Sequence, residues 1–217
     1  MSSSENEDPF VDKQEPASLT IDDSQGRELL RLARSTIDHY LRCGKVLDYD
    51  EDNTSITLAT GLFVTLWGRD AAQVTKSLSE NRVLRGCIGH LQGKSPLFDI
   101  VQEVAIGAAT RDPRFPPLTQ AEFDTIRIEI AILSPLRMIN ELQQIEIGQD
   151  GLLLEGLGKR GLLLPKVAER MGWDRESFLK GVCSKAGLPL NSWPGTCKLY
   201  AFTTVVFDEA KMELQQD

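Results

Sequence analysis

Residues 126–133 read IRIEIAIL. An isoleucine stands at every second position, the side-chain period of a β-strand. Ile126, Ile128, Ile130 and Ile132 share one face, and Arg127, Glu129 and Ala131 share the other. One face this apolar must be covered by another layer, so the neighbouring segments decide the fold. We expect the opposite face to be open and Glu129 to be solvated there. Were that face covered, the carboxylate would need a cation, and Arg85 and Arg114 are the candidates.

Upstream, GLFVTLWG (61–68) is rich in β-branched and aromatic residues, which predicts a strand, and VLRGCIGHL (83–91) a second one, antiparallel to the first. Apolar residues recur at steps of three and four over Arg27–Leu41 and Leu97–Thr110, which predicts two helices. Asp22, Asp23 and Ser24 are possible caps of the first, Gly44 its stop, and His39 a partly exposed residue on it. Residues 69–82 are polar, with a helix-like piece around Ala71–Leu78. Two adjacent prolines stiffen DPRFPPLT (112–119), and Thr119 and Glu122 form a capping box that opens a short helix.

Downstream, QIEIGQDGLLLEG (144–156) reads as two short strands about a turn, RGLLLP (160–165) as a strand running into a helix at Pro165, and CKLYAFTTVVFDE (197–209) as one closing strand. A further helix runs from a cap at Asp174 to about Lys185 and ends at Gly187. Strands and helices interspersed, with hairpins, predict an α+β fold, a mostly antiparallel mixed sheet flanked by helices. Residues 1–20 are polar and acidic and are expected to be a disordered tail preceding one domain over 21–212.

A net charge of −8 in 217 residues disfavours nucleic acid, whose backbone repels an acidic protein. No apolar run approaches a membrane span, and no secretory leader is expected. The expected compartment is the cytoplasm, with Cys43, Cys87, Cys183 and Cys197 reduced. Cysteine spacing fits no zinc framework, and dinucleotide, P-loop and His-Glu-x-x-His patterns are absent, so neither metal nor cofactor is expected. Trp173 and Trp193 read as core or lid residues.

Chemistry concentrates in LRGCIGH (84–90). Gly86 and Gly89 leave Cys87 uncrowded and let another chain approach. Arg85, two residues away on a strand, belongs on the same face, where a cation would favour thiolate. Backbone N–H groups near Gly89 suit an anion. A small apolar residue in a tight strand also accounts for Cys87, and is the reading the residues favour. Cys87 and His90, three apart, face opposite ways on a strand and make neither a metal pair nor a nucleophile–base pair without a sharp bend. Asp112 and Arg114 flank Pro113. They form either a surface ion pair or a rigid mount that turns Arg114 toward a small anionic ligand.

LRGCIGH, DPRFPPL, ILSPLRMI, IGQDGLLLEGLGKRGLLLPKVAERMGWDRESFL and CSKAGLP with Trp193 occur in this order between about Gln25 and Glu209. Together they resemble the AMMECR domain family. The resemblance implies an α+β fold of a larger and a smaller lobe, with LRGCIG near the groove between them and no established activity. It also implies candidate site residues Arg85, Gly86, Cys87 and Gly89, then Asp112 and Arg114, and association with Memo-type and radical-SAM proteins. Residues 69–82 intrude relative to that pattern. Two functions follow as expectations: an enzyme or enzyme subunit with a Cys87-centred cleft, or a non-catalytic adaptor that recognises a protein through the LRGCIG loop.

Overall fold

A computed structural model describes residues 21–49, 61–69, 82–91 and 95–212. The expected tail, the helix-like piece around Ala71–Leu78 and nearly all of the intruding stretch lie outside the described residues. The fold is α+β and divides into two compact units. One combines residues 21–132 with 205–212; the other, residues 133–204, is inserted into it.

The first unit begins with α1 (Asp23–Cys43). Asp22 accepts the Ser24 and Gln25 N–H groups at 2.8 and 2.9 Å, while Gln25 Oε1 accepts the Asp22 N–H at 3.0 Å. This reciprocal cap starts the helix one turn earlier than the apolar period alone places it. Gly44 ends it at φ 70°, where a side chain would be strained. Next come β1 (Leu62–Arg69), β2 (Arg82–His90), α2 (Leu97–Thr110), the single turn α3 (Gln120–Phe123) and β3 (Arg127–Leu133). β8 (Thr204–Asp208) completes a sheet of order β2-β1-β3-β8, in which β1 pairs antiparallel with both β2 and β3. Ile128, Ile130 and Ile132 are fully buried together with Leu62, Val64 and Leu66 of β1. They form the face covered by the helical layer, from which α2 contributes Val101, Val104 and Ala105. Each such isoleucine, leucine or valine contributes about 1.5–3 kcal/mol by leaving water.

The inserted unit holds β4 (Arg137–Ile139), β5 (Gly151–Gly156), β6 (Lys159–Leu163), α4 (Pro165–Met171), α5 (Arg175–Ala186) and β7 (Lys198–Phe202). Its sheet has the order β4-β7-β5-β6. Leu152, Leu154, Phe178, Val182 and Leu199 make its core, and Trp173 and Trp193 pack against it. A four-residue helix, α6 (Glu209–Met212), follows β8 in the first unit.

Two expectations are corrected, and one strand is added. The closing strand is two strands in different sheets, β7 and β8, broken at Thr203. There Ser134 N donates to Thr203 O at 3.0 Å, and Thr203 N donates to Ser134 Oγ at 2.9 Å, so Thr203 is bonded to a loop rather than a ladder. Of the two strands expected in 144–156, only β5 forms. Asp150 N and Gln149 N both donate to Glu146 O, and the Asp150 carboxylate accepts Glu146 N at 2.8 Å, which closes a turn where a strand would need free backbone. β4 was not expected, because three residues after a proline carry no readable period.

Candidate functional site

Cys87 lies in β2 opposite Thr65 of β1, and Thr65 lies opposite Glu129 of β3. The three therefore form one row across the sheet. A Cβ on Gly86 would sit 2.1 Å from the Ala108 carbonyl oxygen of α2, and Ile88 reaches Gly107 of the same helix. Gly86 and Ile88 thus face the helical layer, and Cys87 faces away from it. The Cys87 side chain is half-buried, and Thr65 Oγ1 donates to its sulfur at 3.3 Å. Burial pushes the thiol pKa up. The Thr65 hydroxyl and the Arg114 charge offset this only in part, so the thiol titrates above its ordinary value and is protonated at neutral pH.

Arg85 is not beside the sulfur. Leu66 pairs with Gly86 and Trp67 with Leu84, so Arg85 is the extra residue of a β-bulge, and the alternation that would place it next to Cys87 is interrupted there. Its guanidinium grips the proline segment instead. Nε and Nη2 donate to the Glu122 carboxylate at 3.0 and 3.2 Å, and Nη1 donates to Pro116 O at 2.9 Å. That cation is the main reason the Glu122 pKa is pulled down to about 2.

β2 is the end strand of its sheet. At Cys87 that edge is closed by side chains. Cys87 N donates to Asp112 Oδ2 at 2.8 Å, and Arg114 Nη2 donates to Cys87 O at 3.4 Å. Asp112 is buried and takes Arg114 Nε and Nη2 at 2.9 and 2.6 Å, with the Arg114 backbone N–H at 3.1 Å. These donors hold its carboxyl well below the usual carboxylate range, and Asp112 in turn raises Arg114. The Asp112–Arg114 pair supplies the acceptor and donor that a neighbouring strand would offer, which protects an otherwise open edge. Arg114 remains half exposed, above the ring of Phe115.

Two further readings change. The flanking glycines are required by packing: Gly86 by the Ala108 carbonyl, and Gly89 by the Phe63 ring, 2.2 Å from where its Cβ would stand. Glu129 is not solvated. Its side chain is 15% exposed and lies 3.8 Å from Arg82, which itself forms a two-pronged pair with Asp208 at 2.7 and 3.2 Å. Arg85 and Arg114, the partners considered from the sequence, are held by Glu122 and Asp112. His90 contacts Glu103 at 3.3 Å and does not join Cys87.

The structure thus brings Cys87, Gly86, Asp112 and Arg114 together, places Glu129 in the same cross-strand row, and sends Arg85 to the far end of the proline segment. Thr65, Arg82, Glu122 and Asp208 were missed. Glu122 was visible only as half of a capping box, a role it also fills by accepting Thr119 N at 3.0 Å. Asp208 was hidden because β7 and β8 read as one strand. Chemically, the row offers a neutral thiol, a hydroxyl and a partly buried carboxylate. It is a hydrogen-bonding surface, without a described base positioned to take the thiol proton.

The profile of the family described as AMMECR1 matches residues 30–207. Protein MK0488 of Methanopyrus kandleri is 38% identical over 197 residues, covering 87% of this chain and 90% of that protein. Protein TK0174 of Thermococcus kodakarensis is 39% identical with 87% and 92% covered. Among solved structures, the uncharacterized protein PH0010 of Pyrococcus horikoshii is similar at a TM-score of 0.77 and 37% identity, over 87% of this chain and 93% of that one. Among the described residues, no helix is long and apolar enough to cross a membrane.

Proposed function

The chain belongs to the AMMECR1 family, and from that premise we propose that it is a cytoplasmic adaptor whose recognition element is the LRGCIG strand with its DPRF clamp. One observation supports this over a thiol nucleophile. Arg114, the described cation that acts on Cys87, is already engaged by the Asp112 carboxylate, Arg85 is held by Glu122, and the sulfur accepts a hydrogen bond while its pKa is raised. A nucleophilic cysteine needs the reverse, a thiolate favoured by an uncompensated positive charge or an adjacent base. What the clamp presents outward is the exposed part of the Arg114 guanidinium, fixed in direction by Asp112. A guanidinium so held suits a carboxylate on a partner or a small anionic ligand. The partners proposed are the Memo-type and radical-SAM proteins that the resemblance implies.

Alkylation of Cys87 in the native protein, followed against pH with the other cysteines replaced by serine, tests the reading. The expected midpoint is at or above the unperturbed ~8.5. A midpoint below neutrality would revive the enzymatic alternative. Binding to a purified Memo-type protein should weaken at least about tenfold on Arg114→Gln, a loss of about 1.4 kcal/mol. Unchanged affinity would remove the clamp from the interface.

A further inference from the structure

A cleft of about 520 Å³ in the inserted unit takes no part in the Cys87 region. Its wall draws on ILSPLRMI (132–139) and on QIEIGQDG (144–151), two stretches singled out in the sequence that the adaptor reading leaves without a role, and on the end of β7 through Thr203. Asp150 is buried at its base, 3% exposed, and accepts Arg137 Nη2 at 3.0 Å and the Glu146 backbone N–H at 2.8 Å. Arg137 also reaches the Gln144 carbonyl with Nη1 and Nη2, at 3.5 and 3.4 Å. The guanidinium is therefore held from one side, and 47% of the side chain remains exposed in the cleft. Its Nε edge makes no hydrogen bond among the described residues.

Glu146 lines the same cleft, is exposed, and forms no ion pair among the described residues. Asp150 explains why the two opposite charges do not collapse onto each other. It holds Arg137 by the side chain and Glu146 by the backbone, so the cation is restrained while the second carboxylate stays free. Gln149 and Thr203 add neutral hydrogen-bonding groups to the lining. The volume falls within the ~300–1,000 Å³ of small-molecule sites.

We propose that this cleft binds a small zwitterion, a free amino acid or a dipeptide, with its carboxylate at the exposed edge of Arg137 and its ammonium at Glu146. A purely anionic ligand would be repelled by Glu146, and a simple amine would leave Arg137 unused. The site stands independently of the adaptor reading.

Calorimetric titration of the full chain with the standard amino acids and with alanylalanine, one at a time, tests the proposal. At least one should bind at millimolar concentration or below. Its deaminated and decarboxylated counterparts should each bind at least about tenfold more weakly, or about 1.4 kcal/mol. Glu146→Gln is at an exposed position and should leave thermal stability unchanged. It should weaken the zwitterion about tenfold without weakening the deaminated counterpart. Arg137→Gln leaves buried Asp150 without its cation and risks unfolding, so Gln149→Ala serves as the second variant, with a smaller loss expected. Absence of binding by every probe overturns the proposal. So does equal binding of either counterpart, or a Glu146→Gln affinity equal to that of the parent.

Discussion

Gly86 shows how little room β2 has. A methyl group there would meet the Ala108 backbone oxygen at 2.1 Å, and a helix carbonyl cannot swing aside as a flexible side chain can. Gly86→Ala should therefore lower stability by about 1–3 kcal/mol or more, read as an earlier urea midpoint at unchanged slope. At the next residue, the Thr65 hydroxyl is the largest of the influences that favour the Cys87 thiolate. Thr65→Val removes that donor, so the alkylation midpoint should move further up and the rate at mildly alkaline pH should fall. A downward movement would mean that the hydroxyl accepts from the thiol instead. From the sequence, the small residues beside Cys87 were legible and their reason was not. The contacts that demand them come from α2 and from Phe63, far away along the chain.

At the scale of elements, the edge of β2 depends on a side-chain pair from the turn after α2. Asp112→Ala would leave both the Cys87 N–H and the Arg114 guanidinium without their acceptor. An unsatisfied buried donor costs about 1–3 kcal/mol, so the variant should unfold correspondingly earlier in denaturant. The Cys87 amide should also lose its hydrogen-exchange protection more than amides in the centre of β3 do. Equal loss throughout the sheet would indicate general destabilisation rather than an opened edge. Periodicity revealed β3, α1 and α2 because each repeats its apolar residues along one buried face, and strand-forming composition revealed β1 with β2 read beside it. The break at Thr203 had no such signal. CKLYAFTTVVFDE is uniformly strand-forming, and the hydrogen bonds to Ser134 that divide it lie some seventy residues away in sequence. Likewise, the bulge at Arg85 leaves no mark in composition, although it turns the guanidinium from the sulfur to Glu122.

For the whole molecule, the ion pairs that hold DPRFPPL and the turn after it make stability depend on acid. The folded pKa of Glu122 is lowered to about 2, and that of Asp112 is lowered too. A depressed carboxyl stabilises the fold fully above its unfolded pKa of roughly 4, and loses that contribution as pH falls through the folded value. Stability should thus decline between about pH 5 and 2, and Glu122→Gln should flatten the slope of that acid limb. The Glu122 side chain is 43% exposed, so solvent screening keeps its share small. An unaltered slope would mean that the Arg85 pair contributes nothing to folding. The sequence by itself determined the α+β class, the family and most elements, because apolar period, caps and turn residues act over a few neighbouring positions. Only the tertiary structure decided that the described strands form two sheets, which carboxylate meets which arginine, and that Cys87 lies half-buried on an edge closed by Asp112 and Arg114. Those outcomes depend on burial and on charges brought together from distant segments, and a local pattern carries neither.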